Sequence, residues 1–153
     1  MFKSVLFVCV GNICRSPVAE GVLKYYSAQY GLGLQVSSCG VYAMVGQHPQ
    51  PHSIAIAAEQ GIDIADYVAK QITLEMVREF ELILALDQPV LADVSRRFPF
   101  AVGKIKKLGF LENNQDVADP YRKGKEDFIE MYADISRYMH LWMKQMWGVA
   151  TIA

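Results

Sequence analysis

Ser4-Val5-Leu6-Phe7-Val8-Cys9-Val10-Gly11-Asn12-Ile13-Cys14-Arg15-Ser16-Pro17 is the stretch whose reading decides the architecture. Its apolar run has no polar alternation, so residues 3–9 read as a buried strand, the kind a parallel sheet contains. Gly11 and Asn12 follow, two residues that tolerate tight or left-handed backbone. Ser16 is a good N-cap, and Pro17 at the first helical position already has the φ a helix start needs. The segment therefore reads as strand, short loop, helix, with the loop at the carboxyl end of the strand.

That loop carries chemistry. Cys9 and Arg15 can hold one oxyanion between them. Arg15 offers a planar fork of donors that matches two phosphate oxygens. The amides of Val10, Gly11, Asn12, Ile13 and Cys14, with the helix N-terminus behind them, add positive potential. A thiolate, the nucleophilic form of cysteine, suits such surroundings. The Ser16 hydroxyl is within reach of the Cys9 sulfur. A bare Cys-x5-Arg spacing arises often by chance; the preceding strand, the internal Gly-Asn and the following Ser-Pro supply the context it requires.

Outward from this loop, strand and helix signals alternate. Residues 17–30 carry Val18, Ala19, Val22, Leu23 and Tyr26 at helical spacing, and Gly31-Leu32-Gly33 breaks that helix. Residues 34–38 read as a second strand, 41–51 as a surface loop, and 53–60 as a helix ended by Gly61. Residues 73–79 form a short helix and 81–86 a third buried strand. Asp87-Gln88-Pro89 opens another helix, and 104–108 is a weaker fourth strand. A long loop over 109–124 precedes the longest helix, 126–147, with Phe128, Tyr132, Ile135, Met139, Trp142 and Met146 on one stripe, read as core. Strands separated by helices imply βαβ units and a doubly wound α/β fold on a parallel sheet. In such sheets ligands bind beyond the carboxyl ends of the strands, where the Cys9 loop lies.

Composition is that of one globular domain spanning 1–153. Fifteen Lys and Arg against 16 Asp and Glu leave a formal charge of −1, which implies no general affinity for nucleic acid. The clusters Arg96-Arg97 and Lys104-Ile105-Lys106-Lys107 read as solvated faces. Three cysteines without a disulfide framework fit a reducing compartment. The apolar run after Met1-Phe2-Lys3 is short and lacks a small-residue cleavage site, so it is not read as a signal peptide. No stretch is long enough to span a membrane. The expected protein is soluble, cytoplasmic and monomeric, without membrane insertion, metal or cofactor; Cys9 and Cys14 are not at zinc-site spacing.

A thiolate that takes a phosphoryl group needs a proton donor for the leaving oxygen. Asp119, in Asp119-Pro120-Tyr121, is the candidate, with Tyr121 lining a cleft; taken alone, Asp-Pro reads as an ordinary turn opener. Residues 8–17 together with Asp119-Pro120-Tyr121-Arg122 resemble the low-molecular-weight protein tyrosine phosphatase family. Val36-Ser37-Ser38, Val68-Ala69-Lys70-Gln71-Ile72 and Glu81-Leu82-Ile83-Leu84 extend the resemblance over nearly the whole chain. It is greatest to the bacterial branch paired with tyrosine kinases that control capsule and exopolysaccharide export.

The resemblance implies a four-stranded parallel sheet with helices on both faces. By position it makes Cys9 the nucleophile, Arg15 the phosphate clamp and Asp119 the general acid. Asn12, Ser16 and Ser38 would hold the loop, and Cys14 would trap oxidised Cys9 as a disulfide. The implied partner is a phosphotyrosine protein, the tyrosine-rich tail of a membrane tyrosine kinase. The chain departs from the family pattern at Cys39, in Ser38-Cys39-Gly40, and at Tyr67, where many members have His. Val41, Tyr42 and Met44 are candidates for the cleft wall, with Met44 favoured. His48, His52 and His140 match no catalytic position. Two rivals remain in view: a thioredoxin-coupled arsenate reductase, which needs further cysteines downstream of Cys39, and a non-catalytic phosphate-binding module.

Overall fold

The computed structural model describes residues 1–149. Four strands, β1 (Ser4–Cys9), β2 (Gln35–Gly40), β3 (Leu82–Ala85) and β4 (Ile105–Lys107), form one parallel sheet in the order β2-β1-β3-β4. The helices are α1 (Arg15–Gln29), α2 (Pro51–Ala58), α3 (Leu74–Glu79), α4 (Gln88–Arg97) and α5 (Lys125–Trp147). A 3₁₀ turn, Pro99–Lys104, runs into β4 and carries no signal in the sequence reading. From β1 the chain goes to β2 on one side and to β3 on the other. The switch point thus lies at the carboxyl end of β1, where a parallel sheet opens a crevice.

All six residues of β1 are buried. Strand period two divides them between two cores. Val5, Phe7 and Cys9 face α1, α2 and α5, whereas Leu6 and Val8 pack with Val90 and Val94 of α4 and with Val77 of α3. Helices therefore cover both faces. The long apolar stripe of α5 is core, as read, but its centre is shifted. Phe128, Met131, Ile135, Met139, Trp142, Met143 and Trp147 are buried, while Tyr132 and Met146 sit at the margin. Trp142 Nε1 donates to the Leu108 carbonyl at 2.6 Å and Trp147 Nε1 to that of Phe2 at 2.8 Å, fastening α5 to the sheet.

Two readings are corrected. The first is the start of α1, which is Arg15 rather than Pro17, with Cys14 at the cap position and no side-chain cap bond. Ser16 does not cap because its hydroxyl is engaged by Cys9 and Asn12. The second concerns the basic clusters, which are not simply solvated faces. Lys107 is buried and pairs with Asp116 at 2.8 Å, and Lys104 Nζ donates to the Phe80 carbonyl at 2.7 Å. Arg97 donates to the Val41 carbonyl at 2.9 Å, while Arg96 stays exposed. Lys104 and Arg97 thus satisfy backbone carbonyls and Lys107 a carboxylate, demands that local sequence does not reveal.

Candidate active site

The loop between β1 and α1 is built from the outside inward. Its carbonyls are held by the segment after β2. Val41 N–H donates to Cys9, Tyr42 to Val10, Met44 to Gly11 and Gln50 to Ile13, at 2.7 to 3.0 Å. The Ser53 hydroxyl donates to the Cys14 carbonyl at 3.1 Å. A trans peptide sets N–H opposite C=O, so carbonyls fixed outward turn the following amides toward the loop's interior, the arrangement that cradles an anion. The left-handed residue is Asn12, at φ 60°, and Gly11 does not share it. Gly40 has the tighter demand for glycine: a Cβ there would lie 2.4 Å from the Val10 carbonyl oxygen.

Behind the loop runs a continuous set of hydrogen bonds. Asn12 Nδ2 donates to Ser16 Oγ at 2.7 Å and to Ser38 Oγ at 3.0 Å. Asn12 Oδ1 accepts from the Lys70 amide at 3.0 Å. Ser38 donates to Glu20 at 2.6 Å. With an Asn12 amide hydrogen on the Ser16 oxygen, the Ser16 proton is left for Cys9 Sγ, 2.8 Å away. A sulfur anion at Cys9 would thus have a hydroxyl donor directed at it.

Arg15 is 1% exposed, and its Nη1 is held by Asp87 Oδ2 and by the Val117 carbonyl, both at 2.7 Å. Burial by itself works to lower its pKa. The Cys9 charge, the hydrogen bond and charge of Asp87, and the charge of Asp119 outweigh burial and raise it, so the guanidinium is a permanent cation. Asp119 Oδ1 accepts from the Tyr121 amide at 3.1 Å, an Asx turn that fixes the carboxylate. Its Oδ2 stands 3.8 Å from Arg15 Nη2 and the side chain is 45% exposed. Asp119 enters this site because Val117 N–H is bonded to the Leu86 carbonyl at the end of β3.

A cavity of about 120 Å³ joins these groups. Cys9, Arg15 and Asp119 line it, with Val10, Gly11, Ile13 and Cys14 of the loop; Tyr42, Met44 and Tyr121 form the apolar walls. Met44 is where the wall was expected and Tyr42 stands with it, but Val41 is buried behind and does not face the cavity. Asn12, Ser16 and Ser38 support the loop from outside the cavity. Burial, with the charges of Asp119 and Cys9, pushes the Cys14 thiol from 9.0 up to about 12. Cys39 lies on the opposite face of the sheet, and burial raises its thiol too. It cannot pass a disulfide outward, which removes the relay that an arsenate reductase requires.

Tyr67 is half-buried near Glu20, and its hydroxyl is pushed up to about 12 by burial and by the charges of Glu20 and Asp63. Lys24 Nζ sits 4.9 Å from its ring centroid. His48 bonds the Tyr67 carbonyl, His52 packs on Phe128 and His140 on Tyr26, all away from the cavity. No group of His, Cys, Asp and Glu able to hold a metal occurs among the described residues, and no described helix is long and apolar enough to cross a membrane.

Two residues of the site were not singled out in the sequence reading. Asp87 was visible only as a helix opener; its place at the end of β3, beside the switch point, was the available signal. Glu20 and Lys24 look like a surface i,i+4 pair, and nothing local says that Glu20 also accepts from Ser38.

Known proteins are similar to this chain in sequence and fold. The model of the family described as "Low molecular weight phosphotyrosine protein phosphatase" matches residues 4–148. The low molecular weight protein-tyrosine-phosphatase Wzb of Escherichia coli is 35% identical over 146 residues, 95% of this chain and 97% of that one. Vibrio vulnificus Wzb, solved in complex with benzylphosphonate, superposes with a TM-score of 0.89 at 30% identity, covering 95% of this chain and 100% of that one. A mutant of the YwlE arginine phosphatase with a phosphorylated active-site serine gives a TM-score of 0.90 at 25% identity, covering 96% and 97%.

Proposed function

This chain belongs to the low molecular weight phosphotyrosine protein phosphatase family, and from that premise we propose how its residues divide the work and what they act on. Cys9 Sγ attacks the phosphorus of a phosphotyrosine in line, forming a cysteinyl-phosphate and breaking the bond to the phenolic oxygen. Arg15 and the inward amides hold the three equatorial oxygens as charge shifts onto them. Asp119, protonated at that moment, gives its proton to the departing phenolate. As a carboxylate it then takes a proton from water, whose oxygen displaces the sulfur and releases inorganic phosphate. The observation that carries this reading is that Cys9, Arg15 and Asp119, 110 positions apart in sequence at the extremes, line one small cavity with aromatic walls.

The likeness to an arginine phosphatase raises phosphoarginine as a second substrate. The cavity favours a phenyl ring. Ile13, Met44, Tyr42 and Tyr121 offer apolar contact, while a guanidino group would bring N–H donors to a wall whose one carboxylate is Asp119. Phosphoserine is too short to bring its phosphate down to the sulfur.

The proposed physiological substrate is the phosphorylated, tyrosine-rich cytoplasmic tail of a membrane tyrosine kinase serving polysaccharide export, with the phosphatase acting in the cytoplasm as a monomer. A flexible tail can present one tyrosine at a time, and the small area it buries keeps binding transient. The decisive experiment measures phosphate release from matched phosphotyrosine and phosphoarginine peptides by wild type and Cys9→Ser, with vanadate binding followed in parallel. Phosphotyrosine is hydrolysed preferentially, and Cys9→Ser abolishes turnover while still binding the oxyanion. Near-normal turnover by Cys9→Ser refutes the assignment of the nucleophile. Unchanged phosphotyrosine on the kinase in a strain lacking the phosphatase refutes the partner.

A further inference from the structure

We propose that a groove beside the catalytic cleft is a subsite for an apolar side chain of the substrate polypeptide, within about three residues of the phosphotyrosine. The inference rests on the phosphotyrosine reading above. The phosphate cavity is small, about 120 Å³, and against it lies an open groove of about 500 Å³. Val10 and Tyr42 line both, so their side chains form a partition with the reacting phosphate on one side and the groove on the other.

The partition is built. Tyr42 is 65% exposed, yet Arg97 stacks its guanidinium 4.6 Å from the ring centroid. Arg97 is itself fixed by the Val41 carbonyl and by Asp93. Buried Val41 and Val90 form the floor, and exposed Pro89 and Ala92 of α4 form the far side. The charges at the rim are Asp93 and Arg96, which pair with one another. The groove thus presents apolar surface and no unpaired carboxylate or cation. That chemistry fits Leu, Ile, Met or Phe rather than a second phosphate or an acidic residue.

Continuity with the cleft identifies the occupant. A polypeptide whose phosphotyrosine has entered between Tyr42 and Tyr121 must leave over the cleft's rim, and Val10 and Tyr42 are that rim on the groove side. Extended chain advances roughly 3.3 Å per residue, so a neighbouring side chain crosses the partition within about 10 Å. A small aryl phosphate fills the cavity without reaching the groove.

The test is a leucine scan. Phosphotyrosine peptides with glycine flanks receive a single Leu at each position from three before to three after the phosphotyrosine, with Asp and Lys as controls. Wild type should prefer Leu over Gly at one flank by about tenfold in kcat/KM, in the low range for filling an apolar subsite. Ala92→Glu, an exposed helix substitution that sets a charge in the groove, should abolish the preference and leave p-nitrophenyl phosphate hydrolysis and the melting temperature unchanged. A flat scan, a preference that survives Ala92→Glu, or a preference for Asp overturns the subsite. If the glycine-flanked phosphotyrosine peptide itself is not hydrolysed, the phosphotyrosine reading fails first.

Discussion

Asp87→Asn is the sharpest probe of how the phosphate clamp is held. Asp87 does two jobs. Its Oδ2 pairs with Arg15 Nη1 at 2.7 Å, and its Oδ1 caps α4 by accepting from the Val90 amide at 2.9 Å. Asn caps helices as well as Asp does, so the substitution removes the charge and spares the cap. Removing one partner of a buried pair costs about 3–5 kcal/mol. The Asp87 side chain is 17% exposed, and Asn keeps a neutral acceptor for Nη1, so the cost here should fall to about 2–3 kcal/mol. At about 2.1 cal/mol/K per residue, 153 residues give an unfolding entropy near 320 cal/mol/K, and 1 kcal/mol moves the melting temperature by about 3 °C. The expected loss is therefore about 6–9 °C by calorimetry. Asp87→Ala also loses the cap and should fall roughly 3 °C further, for about 1 kcal/mol. In catalysis a clamp displaced by a fraction of an ångström should lower kcat about 10–100-fold. Inhibition by phosphate should hold or strengthen, because the cation is no longer opposed. An Asp87→Asn protein that melts within 2 °C of wild type, roughly the shift of a surface substitution, and keeps its kcat would refute the claim that Asp87 anchors Arg15.

Asp119→Ala should slow aryl phosphates with basic leaving groups about 10²–10⁴-fold and those with acidic ones far less; equal loss across a graded phenol series would make Asp119 structural. Mild peroxide should oxidise Cys9 to the sulfenic acid and give a Cys9–Cys14 disulfide, the Cys14 thiolate attacking the Cys9 sulfur and hydroxide leaving, to be protonated by solvent. Because Cys14 is held up to about 12, trapping should quicken about tenfold per pH unit from 7 to 9; a pH-independent rate, read by alkylation and mass spectrometry, contradicts it. Cys14, Tyr67 and Tyr132 all titrate near 12, above their ordinary values of 9.0, 10.0 and 10.0. The native state then binds more protons than the unfolded chain between about pH 9 and 12, so stability should be level from pH 7 to 8 and decline above pH 9; urea titrations that decline already between pH 7 and 8 count against this. Gly40→Ala should drive the Val10 carbonyl out of place and cost about 1–3 kcal/mol together with activity; normal melting and turnover would show that the loop yields easily.

The outline of the fold was legible because its signals are local. β1 is an unbroken apolar run, α4 and α5 carry their stripes, and Gly31, Gly33 and Gly61 stand at left-handed positions where helices end. The Cys9 loop was legible for the same reason, since nucleophile, clamp and helix start are contiguous. Its internal geometry was less so. Left-handed backbone fell to Asn12 rather than Gly11 because Asn12 must also reach Ser16, Ser38 and the Lys70 amide. Three facts needed tertiary structure. Asp119 faces Cys9 because Val117 is bonded to the end of β3. Asp87 holds Arg15 because the switch point brings the ends of β1 and β3 together. The cleft and its flanking groove share Tyr42, in the loop after β2, because Arg97 of α4 stacks on its ring. Sequence periodicity records which face of an element is apolar; it does not record which distant carboxylate, carbonyl or ring the closed sheet sets against it.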